Sequence, residues 1–439
     1  MKTREETRAR LLHIGQYVLT LLKWLLAASA VGVICGVVGS LFHIGVEQAT
    51  EFRELHPWLL YCLPLAGLLI VVIYKWARTE GMGTNGVIDA VHLGQDLPLS
   101  LTPAIFFSTI LTHLCGGSAG REGAALQMGG SIGLKMGGLF CLDDKDRRIA
   151  TLCGMSAFFS ALFGTPLTAT FFALEVISVG VFYYAAFVPC ITASLVAYGI
   201  SLFAGVSPTR FAVRAPELTA GMLCRVAVLA VLCAVVSILL CEVLHRTEHW
   251  MKSRFPSPWA RVLVGGVVMI LLTGIVGTGD YNGAGMDIIQ RAIGGEARPE
   301  AFILKLIFTA VTIGSAYKGG EVVPTFFIGA TFGCVAGELL GIPPGFAAAV
   351  GLVALFCGAV NCPVASITLS TELFGAGGLL YFAVACGIGY MLSGYRGLYS
   401  SQTILYSKLR AEFINIHTNP NTRHEEVSCG SSNGNEERT

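Results

Sequence analysis

Stretches without Asp, Glu, Lys or Arg recur at bilayer-scale length, among them residues 24–46, 55–74, 176–209, 262–279, 339–371 and 373–395. A hydrocarbon core about 30 Å thick is crossed by roughly 20 apolar helical residues, so runs of this kind constrain the fold more than any other feature. Several are too long for one span and too rich in Gly and Pro for one straight helix. Val176 to Thr209 has room for a span and a turn, and Leu339 to Thr371 contains Pro343, Pro344 and Pro363. Tilted, broken or re-entrant helices are therefore expected. With 54% hydrophobic and 13% charged residues and a mean hydropathy of +0.68, an ordinary soluble globule is excluded. The reading is an all-α polytopic membrane protein.

Charge placement sets the expected topology. Lys2, Arg4, Arg8, Arg10 and Lys23 precede the first run. Lys75 with Arg78, Lys145 with Arg147 and Arg148, and Lys408 with Arg410 mark further inside loops, putting both termini in the cytoplasm of a multi-pass cell-membrane protein. Residues 1–23 read as a retained interfacial helix without a small-residue cleavage site, 24–209 and 210–408 as two membrane repeats, and 409–439 as a polar, disordered tail. The 14 cysteines are scattered through apolar runs without a CxxC pair or a His/Cys cluster, so neither metal nor cofactor is expected. A net charge of +1 gives no reason to expect a nucleic-acid partner.

The repeat shows in the motifs. Gly120, Gly129 and Gly133 recur as Gly320, Gly329 and Gly333, an offset of 200, so "GREGAALQMGGSIG" matches "GEVVPTFFIGATFG". Pro166 and Glu175 recur as Pro363 and Glu372, an offset of 197. Two ordered matches at nearly one offset point to duplication, and duplicated transporters place their site between the halves, at discontinuous helices.

The segment "GGSAGREGAA" disfavours a continuous helix and reads as a loop opening an apolar helix near Glu122, inside the membrane. The first N–H groups of such a helix are unpaired and carry the positive end of its dipole, which makes an anion cradle without a fixed cation. "KGGEVVPTFFIG" repeats the design near Val322, with Pro324 in the first turn. An ionised carboxylate at mid-membrane costs at least roughly 2.5 kcal/mol, so Glu122 requires compensation or a role. Occupying the cradle as a tethered anion, then taking a proton and swinging out when a free anion arrives, would give it both. The alternative is an ion pair with Arg121 that fixes the loop; adjacent residues rarely face each other well.

These residues resemble the CLC family of chloride channels and anion/proton antiporters over roughly residues 20–408. The family motif G-[K/R]-E-G-P stands here as "GREGA", with Ala124 where proline is usual, G-x-F-x-P as "GGEVVP", and the late "PLYS" as "GLYS". The resemblance implies a homodimer, each subunit a CLC fold of two inverted-topology repeats with its own pore. It implies that Glu122 is the external gating glutamate, that the amides of Glu321 and Val322 coordinate the anion, and that Tyr399 is the central anion-binding tyrosine.

The departures are more informative. Where the chloride proteins carry G-S-G-I-P, this chain has "GMGTNGVID", with Met82 at the serine and Asn85 at the proline. Methionine sulfur offers no donor. The family's inner proton-accepting glutamate aligns with Val176. Both changes, and Glu321 within "GGEVVP", resemble the bacterial fluoride-exporting branch, in which fluoride leaves in exchange for protons. Fluoride is small and strongly hydrated, so a selective path needs a narrow passage and close donors; Met82 would narrow it and the amides at 321–323 would donate. Met82 as plain apolar packing is the bland alternative. Glu321 reads equally as a second protonatable group and as a neutral structural carboxyl. The expected anion path is lined by Met82, Glu321, Val322, Val323 and Tyr399, with Thr84 and Asn85 shaping its mouth. Fluoride and protons are the expected cargo, with chloride as the alternative.

The remaining polar residues take structural readings. Glu175 and Glu372 cap or pair at helix ends, Glu242 and Glu338 pair near an interface, His92 and His113 are satisfied locally, and Lys305 and Lys318 snorkel toward opposite faces. "LDDKD" at 142–146 superficially suggests a metal-diphosphate site but reads as a solvated loop. With no G-x-S-x-G or H-E-x-x-H, an intramembrane enzyme is disfavoured. A passive chloride channel on the same cradle is the nearer rival.

Overall fold

The computed structural model describes residues 2–419, with side chains from residue 13 onward. Sixteen α-helices follow one another along these residues, six of them long and apolar enough to cross a membrane. The first half comprises α1 (Lys2–Leu55), α2 (Leu63–Ala77), α3 (Thr84–Leu93), α4 (Leu101–Leu114), α5 (Glu122–Leu139), α6 (Asp144–Phe163), α7 (Pro166–Glu175) and α8 (Phe187–Phe203). The second comprises α9 (Ala220–Arg254), α10 (Pro258–Val276), α11 (Met286–Ile293), α12 (Ala301–Gly314), α13 (Val322–Leu339), α14 (Pro344–Val360), α15 (Pro363–Phe374) and α16 (Leu379–Leu392). Each helix of the first half has its counterpart eight helices later. The α4/α12 and α5/α13 pairs start and end at an offset of 200.

Several prolines act as helix starters. Pro166, Pro258, Pro344 and Pro363 each occupy a first helical position, where the missing N–H is no loss. The run 339–371 is thereby split, α14 ending at Asn361 in a left-handed conformation before α15 begins. Similarly, the run 176–209 contains a two-residue strand and a short 3₁₀ turn before α8.

Reciprocal contacts relate the two halves by a pseudo-two-fold axis, as inverted repeats require. Gly120 N–H donates to Gly320 O, and Gly320 N–H donates to Gly120 O, both at 2.7 Å, an antiparallel bridge between equivalent residues. At the second repeat contact, the Glu372 carboxylate near the end of α15 accepts from Leu167 N–H and Thr168 N–H at 3.0 and 2.8 Å. The Glu175 carboxylate, ending α7, accepts from Val364 N–H and Ala365 N–H at 3.1 and 2.8 Å. Each helix therefore carries at its C-terminal end the acid that satisfies its mate's orphan N–H groups. These are the capping roles read for the two glutamates.

Within each half, one helix pair crosses at backbone contact. A Cβ on Gly129 would stand 2.2 Å from Gly154 O, and one on Gly133 2.2 Å from Ala150 O. Their counterparts Gly329 and Gly333 would meet Gly351 O at 2.6 Å and Ala347 O at 2.4 Å. Small residues bring the backbones together where lipid supplies no hydrophobic drive.

Two expectations change. No break separates the basic N-terminus from the first span: α1 runs unbroken from Lys2 to Leu55. At about 1.5 Å per residue it is roughly 80 Å long and exceeds any bilayer crossing. The tail expected to be disordered from 409 begins with an ordered strand. A three-stranded sheet joins β1 (Ser178–Val179) to β2 (Thr403–Tyr406) in parallel and β2 to β3 (Phe413–His417) in antiparallel. Alternating apolar residues in "FINIH" suit a half-covered strand, and polarity outside that pentapeptide masked it. Residues 420–439 of that tail lie outside the described residues.

Candidate functional site

Two helix N-termini meet at the Gly120–Gly320 bridge, and the sequence there is glycine because nothing larger fits. A Cβ on Gly320 would lie 2.4 Å from Gly123 N, and one on Gly120 2.5 Å from Glu122 Oε2. The loop before α5 is pinned across the repeat: Ser118 N–H donates to Thr312 Oγ1 at 3.0 Å, and Ser118 Oγ lies 3.1 Å from Thr309 Oγ1.

Glu122 is the first residue of α5 and fully buried. Its Oε2 accepts from Arg121 N–H at 2.9 Å, while Oε1 has no hydrogen-bond partner among the described residues. The Gly120–Gly320 bridge sets the N-terminus of α13 beside that of α5 at this seat: a Cβ on Gly320 would stand 3.1 Å from Glu122 N. The Arg121 guanidinium does approach, with Nε 3.7 Å from Oε1. Adjacent residues therefore do face each other here, contrary to the expectation, and cradle and ion pair coexist.

Beside this seat lies a cavity of about 360 Å³ that gathers Met82, Thr84, Asn85, Glu321 and Tyr399 on its walls. Glu122, Val322 and Val323 are not on its lining; the two valines are buried in the first turn of α13. Thr84 opens α3, where its Oγ1 accepts from Gln127 Nε2 at 3.1 Å. Asn85 Oδ1 accepts from Ser401 N–H at 3.2 Å and thereby ties α3 to the segment bearing Tyr399. Four cavity-lining residues carry a buried side-chain atom without a hydrogen-bond partner among the described residues: the Tyr74 hydroxyl, Arg261 Nε, Glu321 Oε2 and the Tyr399 hydroxyl. A carboxyl and a phenol are both proton-carrying groups, and the phenol is a donor for an anion.

Val176 follows α7, fully buried, and Glu175 beside it is engaged by the two α15 amides. His113 Nδ1 lies 2.9 Å from Thr109 O while its Nε2 is buried without a partner among the described residues, and His92 Nε2 lies 3.1 Å from the distant Ile177 O, so neither is fully satisfied by its own segment. Glu242 pairs with Arg246 at 2.7 Å and Arg396 at 3.3 Å. In "LDDKD", Asp143 caps α6 and Asp146 pairs with Lys23.

Lysine needs correcting. Lys305 does not snorkel: it is fully buried, with Nζ donating to Gly283 O at 2.7 Å and Tyr281 O at 3.2 Å. Lys318 is on the cavity wall, its Nζ 4.2 Å from the centre of the Tyr74 ring. Also missed were Gln127 and Arg261, both lining the cavity. Gln127 was findable as the polar interruption of "AALQMGG"; Arg261 belongs to a distant helix and leaves no local signal.

The sequence profile described as voltage gated chloride channel matches residues 66–394. The chain belongs to the voltage gated chloride channel (CLC) family. A chloride/fluoride channel protein of Pseudomonas syringae pv. tomato is 33% identical over 395 residues, covering 88% of this chain and 87% of its own. An H(+)/Cl(-) exchange transporter ClcA of Vibrio vulnificus is 24% identical over 435 residues, at 88% and 91% coverage. Among solved structures, a CLC-type fluoride/proton antiporter superposes with a TM-score of 0.85 at 32% identity, covering 88% of this chain and 98% of that one. A slow cyanobacterial Cl-/H+ antiporter reaches 0.72 at 22% identity, covering 84% and 94%, and speaks to the fold alone. The CLC architecture expected from "GREGA", "GGEVVP" and "GLYS" is thus the architecture of this chain.

Proposed function

We propose that this protein exports fluoride across the cell membrane in exchange for protons, as a homodimer with one pore per subunit and both termini in the cytoplasm. The observation that carries the reading is Glu122, a fully buried carboxyl at the start of α5, beside the bridge where the N-termini of α5 and α13 converge. Ionised, it is the tethered anion of that seat; protonated, it loses its attraction to the amides and yields to a free anion. Alternation between the two states couples anion movement to proton movement. The cavity adjoins the loop carrying Lys75 and Arg78, so the positive-inside rule puts its mouth in the cytoplasm and makes it the anion's inward-facing vestibule.

Fluoride is favoured over chloride by what lines the path. Met82 supplies bulk without a donor, whereas the Tyr399 hydroxyl and the amides at 321–323 supply donors. Glu321, on the cavity wall with one carboxyl oxygen buried and unpartnered among the described residues, takes the role of a second protonatable group on the side where Val176 offers none. Likeness to a chloride/fluoride channel protein and to a CLC-type fluoride/proton antiporter supports the same choice.

The test uses purified protein in liposomes loaded with fluoride or chloride, recording anion efflux and internal pH together, for wild type and Glu122→Gln. Fluoride efflux with coupled proton uptake, far slower chloride efflux, and loss of the proton movement in the variant are expected. Equal or faster chloride efflux without proton movement would instead leave a chloride channel.

A further inference from the structure

The cavity that holds Met82 also gathers cations. Lys252, Arg261 and Lys318 line it, together with His245, from α9, α10 and the loop after α12. Lys252 is taken up by Glu248, one turn earlier on α9, at 2.5 Å. The other two have no carboxylate within 4.0 Å among the described residues, although Glu80, Glu248 and Glu321 share the cavity. Arg261 Nε is buried and has no acceptor there.

Lys318 is held in an unusual way for a membrane lysine. Its ammonium rests on the face of Tyr74, which is itself 5% exposed, and it is recorded with no hydrogen-bond acceptor among the described residues. An aromatic face attracts a cation without consuming its directed N–H donors. Its backbone is fixed by the preceding residue: the Tyr317 hydroxyl lies 2.8 Å from Val262 O and 3.0 Å from Leu63 O, joining the loop to α10 and α2. The chain therefore presents a fixed ammonium with free donors to the same cavity as Glu321 and Tyr399.

We infer that Lys318, with Arg261 beside it, forms an anion-capture site in the vestibule, where fluoride exchanges part of its hydration shell for N–H donors before reaching the narrow path past Met82. Fluoride is the hardest of the halides to dehydrate, and a compact ammonium is a donor matched to a small, hard anion. Lys318 stands three positions before Glu321 and four before Val322, so an anion captured there is delivered to the start of α13. The inference rests on the fluoride reading for its cargo. The residues and their order along the path do not depend on it.

The experiment measures initial anion efflux and proton uptake from liposomes at graded internal anion concentration, for wild type, Lys318→Met, Lys318→Arg and Arg261→Gln, each with fluoride and with chloride. Lys318→Met is expected to raise the half-saturating fluoride concentration about fivefold, the size of one partly solvated charge contact of about 1 kcal/mol. Its maximal rate and anion-to-proton ratio should stay at wild-type values, Lys318→Arg should restore most of the loss, and Arg261→Gln should give a smaller shift in the same direction. Unchanged half-saturation in Lys318→Met and Arg261→Gln overturns the site. So does a fall in maximal rate that Lys318→Arg does not repair, which would make the lysine structural. Wild-type protein moving chloride and not fluoride would overturn the proposed cargo while leaving the capture site to be judged on the chloride curves.

Discussion

Two residues carry the proposed selectivity and the proposed coupling. Met82 fills the position where the family's chloride proteins place a serine, and it stands on the cavity wall without a donor to give an anion. Met82→Ser both widens the passage and adds an O–H. Chloride efflux relative to fluoride should rise about fivefold, the effect of roughly 1 kcal/mol from one added hydrogen bond, and paired efflux traces with the two anions check it. If Met82 is only packing, the ratio stays put and the protein loses stability instead. Glu321 is the residue whose two sequence readings stood level. Its carboxyl lines the cavity with one oxygen unpartnered, a placement that serves proton transfer better than a structural bond. Glu321→Gln, which preserves shape but removes the titrating proton, should therefore slow fluoride efflux and proton uptake together by at least about tenfold, equivalent to about 1.4 kcal/mol in the barrier. Melting of the purified variant should match wild type. A variant that transports normally but melts lower would return Glu321 to a structural role.

At the scale of elements, the fold rests on two repeated devices, and both were visible as spacings before they were visible as contacts. The 200-residue offset of Gly129 and Gly133 becomes the α5–α6 crossing and its α13–α14 counterpart. The 197-residue offset of Glu175 becomes a pair of crossed caps. Gly154→Ala would bring its Cβ to 2.0 Å from Gly129 O, backbone that has no rotamer to yield. Overpacking of about 1–3 kcal/mol is expected, read as a lower melting temperature in detergent with the anion-to-proton ratio unchanged. For the caps, Glu175→Gln and Glu372→Gln each weaken two charge-assisted bonds, and each should cost about 1.5–3 kcal/mol. Because each carboxylate serves the other's helix, the double variant should lose less than the sum, which the melting temperatures of the full cycle would reveal. What the spacings could not supply was the symmetry relating the repeats. Sequence offset is blind to direction, and the antiparallel Gly120–Gly320 bridge and the reciprocal caps supply the two-fold relation.

At the scale of the whole molecule, the parts of the site that follow from local chemistry were legible, and those assembled from distant segments were not. Glu122 could be read because a carboxyl among glycines in an apolar chain requires a reason. Gln127 shows as a polar interruption of its run, but Arg261 and the orientation of Lys318 acquire meaning only when α9, α10 and the loop after α12 meet around one cavity. The same limit hid the end of the chain, where composition suggested a tail and the structure has a clasp. Lys408 Nζ donates to Tyr390 O at 2.8 Å and to Ser393 Oγ at 3.1 Å, anchoring β2 on the end of α16. Beyond β3, Thr418 Oγ1 donates to Tyr399 O and Asn419 Nδ2 donates to Gly397 O, so the strand returns to grip the two residues that flank Leu398. β1 ties this assembly back to the first repeat just after Val176. Tyr399 thus takes its position from residues up to 20 places further on, not from its own segment alone. A chain ending at Arg410 should insert and retain its helices but release Tyr399. The half-saturating fluoride concentration should rise about tenfold, while a chain ending at Asn419, which keeps every bond named here, should transport as wild type. Thr418→Val, which deletes one hydroxyl and no backbone, should fall between them by about 1 kcal/mol, or roughly fivefold. If the two truncations transport alike, the clasp is dispensable and Tyr399 is held by its own loop, through Asn85 and Ser401.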